Sequence, residues 1–460
     1  MIHKFKSGNL NIVLDVNSNA LHVFDDLSYT ILDYWPDQKK IFSELKNNYS
    51  REEIQECIDE IKNLEDEGLL FTKDFAPEDY NLENYEPVIK AMCLNIAHAC
   101  NLKCKYCFAE EGNYHGKKSL MSFEVGKQAI DFLIQHSKTR KNLEIDFFGG
   151  EPLLNFEVVK KIISYAREQE KIYDKNFRFT ITTNGVLLDQ EKIDYINKNM
   201  FNVVLSLDGR KKTHDKMRPS KNNSGSYDMI VPNFLKFISQ RGTKNYYVRG
   251  TFTHHNLDFT EDILHLYNLG FKNISMEPVV ADENCDYALK KQDLNKIFSE
   301  YDKLLKIMIK NNQAFNFFHF MIDLNNGPCF AKRIVGCGAG TEYIAVDPIG
   351  DFYPCHQFVG LQDFKIGNVF DKDKSEKYFD IRKKFKACNI GNKKKCQKCW
   401  AKFYCSGGCT ANAYNSNKNL YEPYYYACEL QKKRLECALT LKAIQASKII
   451  QKHNFFNLCI

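Results

Sequence analysis

Alternation of apolar and polar residues near the N-terminus predicts a β-hairpin. Residues 11–16 and 20–24 alternate in this way, and Asn17-Ser18-Asn19 separates them as a turn. Residues 68–71 are predicted to return as a further strand. Between these strands the apolar spacing becomes helical, with a capping box at Ser50-Arg51-Glu52-Glu53 that begins the longest helix. The three predicted helices cover residues 28–33, 39–47 and 50 to about 67.

A hairpin followed by three helices is typical of a winged-helix-like module, which we assign to residues 1–75. Residues 76–90 are acidic and contain two prolines, which predicts a linker.

Strand-like and helix-like segments then alternate over residues 91–320, which predicts an α/β fold. Amphipathic helices such as 123–137 and 156–170 lie between the strand candidates. Helical crossovers of this kind indicate a parallel sheet rolled into a partial six-stranded barrel, with its active site at the carboxyl ends of the strands. The predicted strands are 92–98, 144–148, 177–183, 202–207, 246–253 and 274–279.

Residues 321–460 have a different character. Eleven of the 17 cysteines follow residue 325, among Gly, Pro and Lys and with little long periodicity. This composition predicts a domain folded around metal rather than around a large apolar core. A final helix is predicted over residues 428–452.

Composition and charge indicate which partners and which cellular compartment to expect. The chain has 460 residues and a net charge of +6, which does not demand a nucleic-acid partner. Its N-terminus does not resemble a signal peptide, and it has no apolar run of about 18 residues, so we expect a cytoplasmic protein without a membrane span. In that compartment, an odd number of cysteines points to metal binding or catalysis rather than to disulfides.

The first cysteine cluster directly follows the first strand of the predicted barrel. Cys100, Cys104 and Cys107 can hold three corners of a cubane, which leaves one iron open to a chelating substrate. A zinc loop that recruits His98 or His115 is the alternative.

This C-x3-C-x2-C spacing resembles the radical S-adenosylmethionine (SAM) superfamily, as do Gly-Gly-Glu at 149–151 and later strand-end motifs. The resemblance implies a SAM-binding [4Fe-4S] cluster and reductive cleavage of SAM to a 5′-deoxyadenosyl radical. Two of the contacts implied below have an alternative interpretation: Ser206 as a turn residue and Met276 as a core side chain. The implied SAM contacts are Tyr106, Gly149, Gly150, Glu151, Ser206, Arg218 and the backbone near Met276.

The later cysteines resemble the SPASM domain of radical SAM peptide maturases, which binds two auxiliary [4Fe-4S] clusters. A zinc ribbon over residues 396–409 is the alternative. One of these clusters has only three cysteines in its implied set, Cys337, Cys355 and Cys409. Its fourth ligand is Cys329, Cys388 or a substrate thiolate. The resemblance implies one set of Cys396, Cys399, Cys405 and Cys428, and a second set of Cys337, Cys355 and Cys409.

The predicted third helix of the N-terminal module is acidic and would repel phosphate, so a peptide fits this module better than DNA. The order of the three domains resembles thioether-forming maturases, most closely those of six-cysteine peptides. That resemblance implies a cysteine-rich precursor peptide whose leader binds residues 1–75, and an external one-electron reductant such as a ferredoxin or flavodoxin.

Two other functions are compatible with the sequence. One is formylglycine formation on sulfatases, whose maturases place an aspartate base where this chain has His356. His356 can itself accept a proton or pack beside a cluster. The other rival is a non-enzymatic, zinc-bound adaptor that binds peptides.

Overall fold

The computed structural model describes residues 1–73, 86–324 and 330–453. Most of the predicted linker and Cys329 therefore lie outside the described residues. Within these ranges no disulfide joins the cysteines. None of the helices found there combines the length and the apolar character needed to cross a membrane.

Residues 1–73 form a three-stranded antiparallel sheet and three helices. The predicted hairpin is confirmed, and an additional strand, β1, pairs with its first strand. The apolar residues Ile2 and Phe5 of β1 are three positions apart, so its sequence IHKFKS lacks the alternation that indicates a strand. The strands are β1 (Ile2–Ser7), β2 (Leu10–Asp15) and β3 (Leu21–Phe24).

The strand predicted over residues 68–71 is wrong, because this segment closes a helix instead. Gly68 has a φ of +70°, and the amides of Leu69 and Leu70 donate to the carbonyl oxygen of Leu64 at 2.9 and 3.1 Å. A left-handed glycine followed by such backward hydrogen bonds ends a helix.

The three predicted helices of this unit are confirmed within two or three residues. The predicted capping box is present, since the Glu53 amide donates to Ser50 Oγ at 3.2 Å and the Ser50 amide donates to Glu53 at 2.8 Å. The helices enclose a small core that contains Ile31, Ile54 and Ile58. They are α1 (Asp26–Ile31), α2 (Gln38–Leu45) and α3 (Arg51–Asp66).

A large sheet forms the centre of the molecule. All six predicted parallel strands are present, and each pairs with the next in chain order. These strands are β4 (Ala91–His98), β6 (Asn142–Gly149), β7 (Asn176–Thr183), β8 (Asn202–Ser206), β9 (Tyr247–Phe252) and β10 (Asn273–Pro278); the two-residue strands β5 (Ser119–Leu120) and β11 (Asn316–Phe317) pair with β4 and β10.

Helices follow most of these strands, as expected for parallel connections. Their apolar faces cover the sheet, where strand residues such as Phe147, Phe179 and Val203 are fully buried. The helices are α4 (Phe123–His136), α5 (Phe156–Tyr173), α6 (Gln190–Asn199), α7 (Lys211–Met217), α8 (Tyr227–Arg241), α9 (Phe259–Asn268) and α10 (Leu294–Lys310).

The C-terminal segment extends this sheet. Strand β12 (Tyr343–Val346) pairs in parallel with β4, and β13 (Asp351–Tyr353) and β14 (Gly367–Asn368) continue the same sheet in antiparallel fashion. Phe352, Phe358, Phe364 and Phe385 of this segment are buried in the same core as the central strands. The expectation that this segment would lack a large apolar core is therefore wrong, because aromatic residues spaced between its cysteines supply one.

The remaining helices of the C-terminal segment are short, apart from the last one. The predicted final helix is confirmed as α16, which begins three residues earlier than predicted and packs along α10. Leu439 of α16 contacts Phe5 and Leu14 of the N-terminal sheet within one apolar cluster. The helices are α11 (Phe330–Val335), α12 (Glu376–Lys386), α13 (Lys394–Gln397), α14 (Lys402–Cys405), α15 (Thr410–Asn417) and α16 (Tyr425–His453).

Candidate active site

A large cavity lies at the carboxyl ends of the parallel strands. Its volume is about 710 Å³, and its walls come from the central sheet and from the C-terminal segment. Most of the predicted site residues line this cavity: Cys100, Cys104, Tyr106, Cys107, Gly149, Gly150, Glu151, Ser206, Arg218, Cys337, His356, Cys405, Cys409 and Cys428.

The loop of the first three cysteines begins two residues after β4. It is held from outside by the amides of Lys103 and Lys105, which donate to the carbonyl oxygens of Pro219 and Met217 at 2.8 and 2.9 Å. Burial raises the pKa of Cys100 to about 12 and that of Cys104 to about 11. As free thiols these groups are neutral at neutral pH, and binding to a metal cation would ionise them.

The Gly149-Gly150 turn at the end of β6 lies directly against the start of this loop. The amide of Gly150 donates to the Ala97 carbonyl oxygen at 2.8 Å. A Cβ atom at Gly150 would lie 2.1 Å from the Ala99 carbonyl oxygen, so no larger residue fits there without moving the backbone. The two glycines thus fix the distance between β6 and the cysteine loop.

The Glu151 side chain holds neighbouring strand ends together. Its carboxylate accepts hydrogen bonds from the Thr183 hydroxyl at 2.7 Å and from the Asn184 amide at 2.8 Å. Burial raises the pKa of Glu151 to about 7, and these hydrogen bonds oppose that rise. Asn184 in turn donates through Nδ2 to Asn101 Oδ1 at 2.7 Å, next to Cys100. Glu151 is therefore a positioning residue for the cysteine loop.

Asp208, which follows β8, is not among the predicted site residues. It is fully buried, accepts a hydrogen bond from the Tyr106 hydroxyl, and lies with its Oδ2 3.0 Å from Arg218 Nε. The amide of Thr251 also donates to Asp208, at 2.9 Å. The carboxylate of Asp208, in the loop after β8, thereby orients both the Tyr106 ring and the Arg218 guanidinium on the cavity wall.

Of the remaining predicted SAM contacts, Ser206 lines the cavity but the Met276 side chain does not. Met276 is fully buried, and its sulfur lies 2.9 Å from where a Cβ of Gly250 would be. The side chain of Met276 is therefore part of the core, which was the alternative interpretation.

Within each of the two C-terminal sets that the resemblance implies, several thiols lie near one another. Burial raises the pKa of Cys405 to about 12, and the nearby thiols of Cys396, Cys399 and Cys428 raise it further. In the other set, burial raises the pKa of Cys355, and Cys409 and Cys337 add to the rise. Each set is therefore close enough for mutual electrostatic repulsion between thiolates.

Cys388, a candidate fourth ligand, is buried near the second set. Its thiol donates to the carbonyl oxygen of Lys384 at 3.3 Å. Together with Cys337 it lines a small cavity of about 20 Å³.

His356 lies between the two regions of cysteines. Its ring is 5.3 Å from that of Phe148 and 5.9 Å from that of Phe108, and its Nδ1 is 3.1 Å from the Tyr343 hydroxyl. Burial lowers the pKa of His356 to about 4, so the imidazole is neutral at neutral pH. This neutral ring completes an aromatic wall beside the first cysteine loop.

The zinc alternative for the first loop finds little support in the two histidines. His115 Nδ1 is 2.8 Å from Glu110 Oε1, and the ring of His98 stacks on Tyr114 with centroids 4.5 Å apart. In the described part of the chain, no three His, Cys, Asp or Glu side chains converge as a site for one metal ion requires. A cubane differs in this respect, because each of its thiolates binds a separate iron.

Comparison with known protein families identifies the central part of the chain. The model of the radical SAM superfamily matches residues 94–256. These residues are similar to a radical SAM domain. The match includes all three cysteines of the first loop, the Gly149-Gly150 turn, Asp208 and Arg218.

Two curated proteins are similar to most of the chain. The chain is 23% identical over 441 residues to the radical SAM cyclopropyl synthase TigE of Paramaledivibacter caminithermalis, covering 89% of this chain and 88% of TigE. It is 25% identical over 343 residues to a cysteine-type anaerobic sulfatase-maturating enzyme of Clostridium novyi, covering 68% and 85% of the two chains.

Solved structures share the fold. Native anSMEcpe with bound AdoMet superposes with a TM-score of 0.65 at 21% identity, covering 78% of this chain and 99% of that one. Streptococcus suis SuiB bound to its precursor peptide SuiA gives a TM-score of 0.54 at 17% identity, covering 93% and 98%.

The radical SAM family implies SAM and a SAM-binding [4Fe-4S] cluster, and the residues present fit both. Three thiols and no fourth come from the short loop, as an open iron requires. Gly150 leaves room for close approach to the backbone. Arg218 Nε is buried and has no hydrogen-bond partner of suitable geometry among the described residues, although it lies near Asp208. A carboxylate such as that of SAM is a suitable acceptor.

Proposed function

We propose that this radical SAM enzyme forms thioether cross-links in a ribosomally made, cysteine-rich peptide. One observation carries the proposal: the same cavity is lined by the thiols of the first loop and by Cys337, Cys405, Cys409 and Cys428 of the C-terminal segment. A peptide in this cavity would lie between a site of hydrogen abstraction and thiols that can hold auxiliary clusters.

The proposal assigns a role to each part of the chain. Residues 1–75 bind the leader, 76–90 are a linker, 91–320 are the partial radical SAM barrel, and 321–460 are a SPASM domain. The first auxiliary [4Fe-4S] cluster takes Cys396, Cys399, Cys405 and Cys428. The second takes Cys337, Cys355 and Cys409, with Cys329, Cys388 or a substrate thiolate as its fourth ligand.

Some residues of the cavity would bind the cluster and SAM, and others position these residues. Cys100, Cys104 and Cys107 would hold the cluster, which when bound supplies the electron that cleaves SAM. Arg218 would bind the carboxylate of SAM, while Asp208 fixes the guanidinium and the Tyr106 ring. Phe108, Phe148 and His356 form an aromatic wall that excludes water from the reacting carbon.

The net reaction on the peptide is an oxidation. A carbon loses one hydrogen atom, which the 5′-deoxyadenosyl radical would accept, and a cysteine thiol loses one proton to solvent. One electron leaves the peptide, for which an auxiliary cluster would be the acceptor, and a C–S bond forms. The reductant that starts SAM cleavage is external and of the ferredoxin or flavodoxin type. The relation to TigE, and the solved complex of SuiB with a precursor peptide, support a peptide as the substrate.

Formylglycine formation on a sulfatase is the second candidate function. The similarity to the Clostridium novyi sulfatase-maturating enzyme and to anSMEcpe favours it. His356 counts against it, because burial makes its imidazole a weaker base than an ordinary histidine.

The test is anaerobic turnover of the reconstituted full chain with SAM and a reductant. One reaction contains a short cysteine-rich peptide encoded beside the gene, and the other contains a peptide with a sulfatase modification motif. We expect the first peptide to lose two hydrogen atoms per cross-link and to resist thiol alkylation at the linked cysteine. Conversion of the sulfatase peptide to an aldehyde, with no change in the first, would overturn the proposal in favour of the second candidate.

A further inference from the structure

Two arginines converge on one wall of the cavity from distant parts of the chain. Arg249 lies on β9 and Arg434 on α16, and both line the cavity together with Glu277 of β10. Arg249 Nη2 is 3.8 Å from Glu277 Oε1, and Arg434 Nη1 is 3.9 Å from Glu277 Oε2. Glu277 thus lies between two guanidinium groups, at distances longer than a hydrogen bond.

The charges of this group do not cancel. His319 Nε2 is 3.3 Å from Glu277 Oε1, but burial lowers the pKa of His319, which favours its neutral form. Two guanidinium cations therefore face one carboxylate. Although burial alone would raise the pKa of Glu277, His319 and the two arginines lower it overall, so Glu277 remains an anion and a poor base. One positive charge remains in excess at the cavity wall.

Arg434 has an unused hydrogen-bond donor. Its side chain is only 7% exposed, and its Nε donates to the Tyr301 hydroxyl at 2.8 Å. Its Nη2 is buried and has no partner in the ranges that the structure describes. A buried guanidinium with an unsatisfied donor is unfavourable unless an anion binds there. The position of Arg434 on the cavity wall indicates that this anion enters with a ligand.

We infer that Arg434 and Arg249 bind a carboxylate of the substrate peptide. This inference rests on the proposed function, because it requires a peptide in the cavity. The carboxylate of SAM has a separate candidate partner in Arg218, which is fixed by Asp208 on the β8 side of the cavity. The chemistry fits an Asp or Glu side chain, or a free C-terminus, since a planar guanidinium binds carboxylates through paired hydrogen bonds.

The test measures binding of synthetic peptides to the reconstituted full chain in the presence of SAM. Three fluorescein-labelled cysteine-containing decapeptides are compared, and the first and the third each differ from the second at one feature. The first carries Glu and an amidated C-terminus, the second carries Gln and an amidated C-terminus, and the third carries Gln and a free C-terminal carboxylate. Fluorescence anisotropy gives the dissociation constant of each.

We expect a carboxylate peptide to bind about tenfold more tightly than the Gln amide. Tighter binding of the Glu peptide alone would identify a side-chain carboxylate as the ligand, and tighter binding of the third peptide alone would identify a C-terminus. Equal binding of all three peptides by the wild-type protein would overturn the inference.

Variants separate a charge effect from a folding defect. Arg249→Gln changes a side chain that is 57% exposed, so we expect a normal fold and a loss of most of the carboxylate preference. Arg434→Gln should remove the preference entirely, and Arg434→Lys should restore part of it. Arg140→Gln, at an exposed position, is the matched control and should keep the full preference. A full preference in both Arg249→Gln and Arg434→Gln would also overturn the inference.

The outcome is distinguishable from failure of the proposed function. SAM cleavage and peptide modification are measured in the same preparations. If the chain modifies a cysteine-rich peptide but shows no carboxylate preference, the proposed function stands and this inference fails. If no peptide is modified but the carboxylate preference is present, the proposed reaction is wrong while the site remains.

Discussion

The loop of Cys100, Cys104 and Cys107 is clamped by backbone, whereas residues 396–409 are held mainly by short helices and side chains. Gly150 and the amides of Lys103 and Lys105 fix the first loop against the sheet and the residues after α7. The later segment contains parts of two four-residue helices, and the buried Lys393, which precedes it, donates through Nζ to the Gly407 carbonyl oxygen at 2.8 Å.

This difference indicates how each region obtains its shape. Backbone contacts to a sheet define the shape of the first loop. Helices of four residues have little stability of their own, so the later segment depends more on its thiols and on contacts with its surroundings. Variants can test whether SAM cleavage depends on the first region alone.

Replacing Cys100, Cys104 and Cys107 together with Ala should have the largest effect. Formation of 5′-deoxyadenosine should fall below detection, because no thiolate would remain to hold the SAM-binding cluster. Chromatographic measurement of 5′-deoxyadenosine under reducing, anaerobic conditions tests this. Cys285→Ala, at a half-buried position, is the control and should cleave SAM normally. Residual cleavage in the triple variant would refute the assignment.

Gly150→Ala should reduce SAM cleavage by about 100-fold, because a displacement of about 1 Å at a reactive site has effects of that size. The new Cβ would collide with the Ala99 carbonyl oxygen and move the cysteine loop. The control is Gly116→Ala, where the nearest atom would be 3.5 Å away, an ordinary contact. Equal cleavage by the two variants would show that the glycine contact does not define the loop.

Asp208→Asn should destabilise the protein by about 3–5 kcal/mol, the usual cost of leaving one member of a buried ion pair alone. Arg218 would lose its partner, and SAM cleavage should fall by about tenfold through weaker orientation of SAM. Thermal unfolding and the KM for SAM measure the two effects. Asp228→Asn removes a surface carboxylate that is 72% exposed and should cost less than about 1 kcal/mol.

Cys396→Ala combined with Cys405→Ala should have the smallest effect on SAM cleavage, a loss of less than about tenfold, or 1.4 kcal/mol in activation free energy. Cross-linked peptide should nevertheless disappear, because these thiols belong to the proposed auxiliary site. Mass spectrometry of the peptide and assay of 5′-deoxyadenosine are made on one sample. If SAM cleavage disappears as well, the two regions do not act separately.

Local sequence patterns predicted the central sheet and its cysteine loop well. Strands such as β6, β7 and β8 bury every second residue, and this alternation is visible in the sequence, so all six were located within a few residues. The spacing of Cys100, Cys104 and Cys107 is local, so the sequence alone places these thiols together.

Features that depend on tertiary contacts were missed. The group of Arg249, Glu277 and Arg434 comes from β9, β10 and α16, and no local pattern links them. The aromatic core of the C-terminal segment escaped notice because Phe352, Phe358 and Phe364 are spaced without a helical or strand period. The bends at 68–71 were predicted as a strand because helix closure depends on the conformation of Gly68.

The packing of α16 against the N-terminal sheet has a consequence for protein engineering. Leu439 and Ala443 of α16 are buried beside Phe5 and Leu14, and Trp400 stacks on His3 with ring centroids 3.7 Å apart. Deleting residues 1–73 would expose these apolar surfaces and leave a truncated enzyme prone to aggregation. A chimera that exchanges this unit for a foreign one would therefore need to keep the face of β1 and β2 that covers α16.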